Sequence, residues 1–241
     1  GSEPFVPVSW ERANEIVATE LRRVIDTHGN KAIYGGSYGW ASAGRFHHAL
    51  SQIHRFLNTI GGYTGSSNTY SSAASEIVLP HVFGINHMPF TQSQTVWPVI
   101  AEHTQLIVMF GGMPPKNTQI AAGGMGTHTA QDWLKRCRAN GVEFVNVSPL
   151  RDDAAEGLEA EWLAPRPNSD TALMLGLAHT LATEELLDRN FLESHTKGYE
   201  RFEPYLLGKS DGQPKDAEWA SEISGIPADT IRDLARRMAS R

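Results

Sequence analysis

An α/β fold, with parallel sheet flanked by helices, is predicted by three observations. From residue 104 onward, short apolar runs alternate with helix-like runs. Each apolar run breaks off in a loop rich in Gly, Pro, Asn or Ser. The helix-like runs space their apolar residues three and four apart. In such sequences a helix carries the chain back between strands, so consecutive strands lie parallel.

The elements follow in order. "VSWERANEIVATELRRVIDTHG" places Ile16, Val17, Leu21, Val24 and Ile25 at helical spacing, with Ser9 as the expected N-cap and Gly29 as the stop. "KAIYGGS" reads as a short strand. "GRFHHALSQIHRFLNTIGG" puts Phe46, Leu50, Ile53, Leu57 and Ile60 on one helical face, closed by Gly61 and Gly62. "GYTGSSNTY" is a polar loop. A helix is expected to start near Ser71 or Ser72 and to be disturbed at Pro80. Then the rhythm changes. "TQLIVMFGG", "VEFVNVSP" and "AEWLAP" read as strands, with "TAQDWLKRCRANG" as the helix between the first two. "SDTALMLGLAHTLATEEL" is a long helix capped by Ser169 or Asp170. Beyond Asp188 come short helices, the last starting near Pro227. The second half therefore reads as Rossmann-like, and the chain divides into 1–103 and 104–241.

Bulk composition narrows the function classes. The chain has 241 residues, 40% of them hydrophobic and 20% charged, which marks a globular protein with a sizeable core. A net charge of −6 argues against bulk binding to nucleic acid. Cys137 is the single cysteine, so an internal disulfide and a cysteine-built zinc or iron–sulfur site are excluded. No apolar run approaches the roughly 18 residues of a membrane span. No signal peptide is visible, and the compartment stays open between cytoplasm and periplasm.

The loops past the strands hold the candidate ligand groups. They read "GGSYGW", "GGMPPKNTQ", "NVSPLRDD" and "APRPNSD". Lys116 offers a point charge for phosphate. Asn117, Thr118, Ser148 and Ser169 offer small hydrogen-bonding groups. Asp170 offers a carboxylate, which can accept two hydrogen bonds from adjacent guanine donors, although it serves equally as a helix cap. The set suits a phosphate-bearing, guanine-type dinucleotide, without a G-x-G-x-x-G or Walker motif. Tyr38 and Trp40 stand two apart, so in an extended segment both point the same way. His47, His48 and His54 share a helix but include no i,i+4 pair; packing or solvation is their expected role.

Four stretches, "YGGSYGW", "FLNTIGGYTGSSNTYSSAASEIVLPHVFG", "MPPKNTQ" and "RPNSDTALMLGLAHTL", together resemble the molybdopterin oxidoreductases. The similar branch is that of dimethyl sulfoxide, trimethylamine N-oxide and biotin sulfoxide reductases, and the resemblance covers nearly the whole chain. It implies that Ser71 ligates molybdenum through its side-chain oxygen. It implies that Tyr38 and Trp40 reach toward the substrate oxygen. It further implies that Trp40, Lys116, Asn117, Thr118, Ser148, Pro149, Pro167, Ser169 and Asp170 hold a bis(molybdopterin guanine dinucleotide) cofactor. On this reading 1–103 is part of the molybdenum-site domain and 104–241 a dinucleotide-binding domain. The implied substrates are small S-oxides or N-oxides, reduced with electrons from a separate donor. A hard, high-valent metal suits an alkoxide oxygen, since a bound cation favours the ionised form of its ligand.

Two departures stand out. The family often has a glycine two or three residues after this serine; here Ser72, Ala73 and Ala74 follow. The family's enzymes are also much longer, so this segment is expected to be cofactor-free and inactive alone. Two other readings remain at this point. One is a non-catalytic α/β nucleotide-binding or scaffold module. The other is a relative of the formate dehydrogenase or nitrate reductase branches, which resemble this one but use Cys, selenocysteine or Asp where Ser71 stands.

Overall fold

A computed structural model describes residues 2–37, 44, 46–67, 69, 71–119 and 126–241. The chain forms two compact units, residues 1–94 with 120–126, and residues 95–119 with 127–241.

The first unit is helical. Helix α1 (Trp10–His28) is capped as expected: Ser9 Oγ accepts from the Arg12 amide, and Gly29 closes the last turn on the Ile25 carbonyl. Helix α2 (Ala49–Thr59) starts three residues later than its apolar pattern suggests. His48 takes extended backbone and its ring accepts from the Ser51 amide, so the helix is capped there. Phe46 falls outside it and is exposed. Helix α3 (Ala73–Val82) runs through Pro80 and ends two residues beyond it. Proline deletes one amide from the ladder, which a last turn tolerates better than a helix centre. A short helix α4 (His87–Gln92) follows, which the sequence pattern did not reveal. The expected strand at 31–37 is a correction. Asn30–Ala32 is a 3-10 turn, and only Tyr34 bridges, in parallel, to Thr64. The bridge comprises Thr64 N–H to the Ile33 carbonyl at 2.8 Å and Gly35 N–H to the Thr64 carbonyl at 3.0 Å.

The second unit carries the sheet. Helix α5 (Trp97–His103) leads into β1 (Leu106–Phe110), and α6 (Ala130–Ala139) leads into β2 (Glu143–Val147). Two 3-10 turns, without an α-helix, connect β2 to β3 (Glu161–Leu163). The strands are parallel in the order β1-β2-β3, with Val108 beside Val145 and Val147 beside Leu163. Helices α7 (Asp170–Thr183), α8 (Arg189–His195), α9 (Tyr199–Leu206), α10 (Ala217–Ser224) and α11 (Ala228–Ser240) complete the unit.

The period of two along the strands divides the core into two layers. Val145, Val147 and Leu163 face one side, packing on Leu173 and Leu177 of α7, Ala220 of α10, and Ile231 and Leu234 of α11. Met109 and Phe144 face the other, against Ala101 of α5 and Leu134 and Cys137 of α6. Burying one large aliphatic side chain here stabilises by about 1.5–3 kcal/mol. The layering explains why β2 is almost wholly apolar: it is covered on both faces. It also sets the carboxyl ends of three strands side by side, where ligands of open parallel sheets bind.

Candidate functional site

The first unit contains a cavity of about 720 Å³. Its described lining includes Tyr34 through Ser37 from the bridge segment, Leu50 and His54 from α2, and Tyr63. Gly65, Ser66, Ser67, Thr69 and Ala73 complete it. Tyr38 and Trp40 lie outside the described residues, but Ser37, next to them, lines this cavity. Ser71 is exposed in the turn before α3, and both Thr69 and Ala73, which bracket it, line the same cavity. The Ser71 amide donates to Thr69 Oγ1 at 3.3 Å. Ser72 Oγ donates to Glu76 Oε1, and Ser75 Oγ pairs with His87 Nδ1 at 2.9 Å. These contacts hold the serine-rich turn at the α3 N-terminus, whose free amides favour negative charge nearby. His54 stacks on Tyr63 with ring centroids 4.9 Å apart.

In the second unit the candidates sit at the carboxyl ends of the strands, and they divide into two kinds. Lys116 and Asn117 are exposed on a 3-10 turn (Pro115–Thr118) past β1. Pro149 and Pro167 are exposed past β2 and β3. Asp170 is half-buried at the first position of α7. Neither Lys116 nor Asp170 forms an ion pair with a described residue, so the cation and the carboxylate are available to a ligand. The hydroxyls point elsewhere. Ser148 is 2% exposed, and its Oγ donates to Asp153 Oδ2 at 2.6 Å. Ser169 Oγ donates to the Arg166 carbonyl at 2.6 Å, and Thr118 Oγ1 to the Pro115 carbonyl at 2.8 Å.

Sequence reasoning missed the residues that tie these loops. Asp153 is the clamp between the first two. Its carboxylate takes the Ser148 hydroxyl, and its carbonyl accepts the Met113 amide at 2.6 Å. Gly112, at φ 75°, passes so close that an added Cβ would lie 2.5 Å from the Asp153 carbonyl oxygen. Arg166 anchors the third loop, donating from Nη1 to the Glu222 carbonyl at 2.5 Å and from its amide to the Ser224 carbonyl. Asn146, at the carboxyl end of β2, is 1% exposed, and its Oδ1 has no described partner. It lines a second cavity, of about 670 Å³, with Pro115, Arg151 and Trp162. Among the described residues the exposed cations of Lys116 and Arg151 near these strand ends suit a phosphate-bearing ligand, and hydrogen bonds tie the loops from behind. No cluster of three metal-ligating His, Cys, Asp or Glu side chains occurs among the described residues. No helix there is long and apolar enough to cross a membrane.

The family model described as molybdopterin oxidoreductase matches residues 1–206. The chain is 49% identical over 235 residues to a biotin sulfoxide reductase of Cereibacter sphaeroides, covering 98% of this chain and 32% of that protein. It is 41% identical over 241 residues to a dimethyl sulfoxide/trimethylamine N-oxide reductase of Rhodobacter capsulatus, covering 100% of this chain and 29% of that protein. The fold is also similar to acetylene hydratase from Pelobacter acetylenicus, with a TM-score of 0.51 at 21% identity over 95% of this chain and 28% of that one. The chain thus spans about 30% of the length of the curated relatives it matches.

Proposed function

We propose, because this chain belongs to the molybdopterin oxidoreductase family, that it is a segment of a molybdenum-dependent enzyme that removes oxygen from small S-oxides or N-oxides. The observation that carries the reading is the 49% identity to a biotin sulfoxide reductase across 98% of the chain. S-oxides such as biotin, methionine or dimethyl sulfoxide come first for that reason, and an N-oxide such as trimethylamine N-oxide second.

The residues divide the work between the two units. Ser71, in the turn ahead of α3, would hold the metal through Oγ, an oxygen ligand of the kind a hard cation prefers. Tyr38 and Trp40 would donate to the substrate oxygen from the segment that follows Ser37. In the second unit the cofactor would be held in its bis(guanine dinucleotide) form. Lys116 would meet a phosphate and Asp170 the N1 and N2 edge of a guanine, while Asn117 supplies a further polar contact. Ser148, Pro149, Pro167, Ser169 and Thr118 would shape the loops, because their hydroxyls are committed internally or their side chains are apolar. When bound, the cofactor supplies the two-electron chemistry of oxygen-atom transfer; the protein positions it and excludes side reactions. A separate donor would supply the electrons. The 241-residue segment alone would lack part of the cofactor's enclosure and so retain neither cofactor nor activity.

The test is the ratio of kcat/KM for biotin sulfoxide to that for trimethylamine N-oxide in the whole protein. The reading expects sulfoxide turnover to be favoured. Tyr38→Phe should lower it modestly and shift preference toward the N-oxide, since one preorganised donor is lost while Trp40 remains. Turnover of neither oxide would refute the reading.

A further inference from the structure

We propose that His54 is the proton donor of the cavity beside Ser71. The proposal rests on the reductase reading, which requires two protons for every oxygen removed. The balance is R2SO + 2e− + 2H+ → R2S + H2O, with the electrons drawn from the enzyme's own two-electron donor. In the proposed step the imidazolium N–H bond breaks and its proton goes to the oxygen taken from the oxide, which leaves as water once a second proton has come from solvent. The electron pair of that bond stays on the ring nitrogen, and solvent then reprotonates the neutral ring.

The geometry points to His54 in four ways. It lines the cavity whose wall includes Ser37, Thr69 and Ala73, the neighbours of Tyr38 and Ser71. It lies four residues beyond Leu50 and three before Leu57 on α2. Leu50 lines the same cavity and Leu57 is buried, so the ring belongs to the inward face of the helix. Its ring stacks on Tyr63, which fixes its plane. Neither ring nitrogen hydrogen-bonds to a described residue, so both are available to the cavity. Among the described lining residues the other titratable groups are the phenols of Tyr34 and Tyr63; the rest of that described lining is Gly, Ser, Thr, Ala and Leu. Histidine is the side chain that ordinarily changes charge between about pH 5 and 8, and a proton donor works best near the operating pH. A residue serving only to pack would need neither the free nitrogens nor the open cavity.

The experiment uses the whole molybdenum-loaded protein and His54→Gln. The variant should lose sulfoxide turnover by on the order of 100-fold, the lower end for a general acid. It should also lose the limb of the kcat/KM profile that falls as pH rises. Molybdenum content and thermal midpoint should match the parent. A second readout is calorimetric binding of dimethyl sulfone, which offers the same oxygen without requiring turnover. Its affinity should weaken with rising pH in the parent and be flat in His54→Gln. The proposal is overturned if the variant keeps the parental pH profile, whether its rate is unchanged or lowered along with its stability. A parent that reduces no oxide would instead refute the reductase reading, and this proposal with it.

Discussion

A serine hydroxyl ionises only where a cation holds the alkoxide, and this gives Ser71 the sharpest expectation for a single side chain. In the whole protein Ser71→Ala should leave the thermal midpoint within a degree or two of the parent, since the residue is exposed. It should remove most activity and change the molybdenum absorption spectrum; a variant with parental activity would exclude Ser71 as the ligand. Asp170 yields a second expectation. Asp170→Asn keeps its size but turns one acceptor into a donor facing guanine donors. An unsatisfied buried polar group costs about 1–3 kcal/mol, so cofactor occupancy should fall roughly tenfold at limiting cofactor. Unchanged occupancy would make Asp170 a helix-start residue and nothing more. The sequence offered Ser71 through the family resemblance and Asp170 as a carboxylate at a helix start, and these two substitutions are what would test both roles. The roles of Ser148 and Ser169 were not legible there. A hydroxyl looks available to a ligand until the fold brings Asp153 or the Arg166 carbonyl to it.

Helix α7 ties the strand ends to the rest of its unit and concentrates two effects. Gly176 faces α10 so closely that an added Cβ would stand 2.6 Å from the Ala220 Cβ and 3.3 Å from Ile231 Cγ2. Gly176→Ala should therefore destabilise the unit by about 1–3 kcal/mol despite alanine's better helix propensity, as overpacking outweighs the roughly 1 kcal/mol gained. Urea unfolding would measure it, and a stabilised variant would contradict the close packing. His179, on the same helix, has its pKa lowered by burial, with Asp216 and Glu218 acting the other way. The folded state thus favours the neutral ring. The stability this contributes is present above the unfolded pKa of about 6.5 and is lost as pH falls from there through the folded value. His179→Gln should reduce the drop in thermal midpoint between pH 8 and pH 5; an unchanged drop would assign it to other groups. Periodicity revealed α7 and its neighbours because each buries a face within its own length. It failed for "KAIYGGS", whose strand character depends on a partner, and Thr64 alone provides one. Nor could periodicity place His54 beside Tyr63 at the wall of a cavity, since Tyr63 lies on a separate loop.

The chain as a whole combines a helical unit that carries Ser71 with a sheet-bearing unit that carries Lys116 and Asp170. Ser71 falls on a turn of the first unit, and Lys116 and Asp170 fall just past strand ends in the second. What made the assignment legible was the order and spacing of these loops, which a resemblance can match. What remained hidden were contacts between segments far apart in the chain, such as Asp153 with Met113. A segment spanning about 30% of its relatives should not retain cofactor alone, and purified material should show no molybdenum. The most direct measurement is therefore made on the whole protein: sulfide formed from biotin sulfoxide per bound molybdenum, across preparations of differing metal content. The reductase reading predicts turnover proportional to molybdenum, approaching about one metal per chain at saturation. Full molybdenum occupancy with no sulfide formed, or sulfide formed independently of molybdenum, would contradict it.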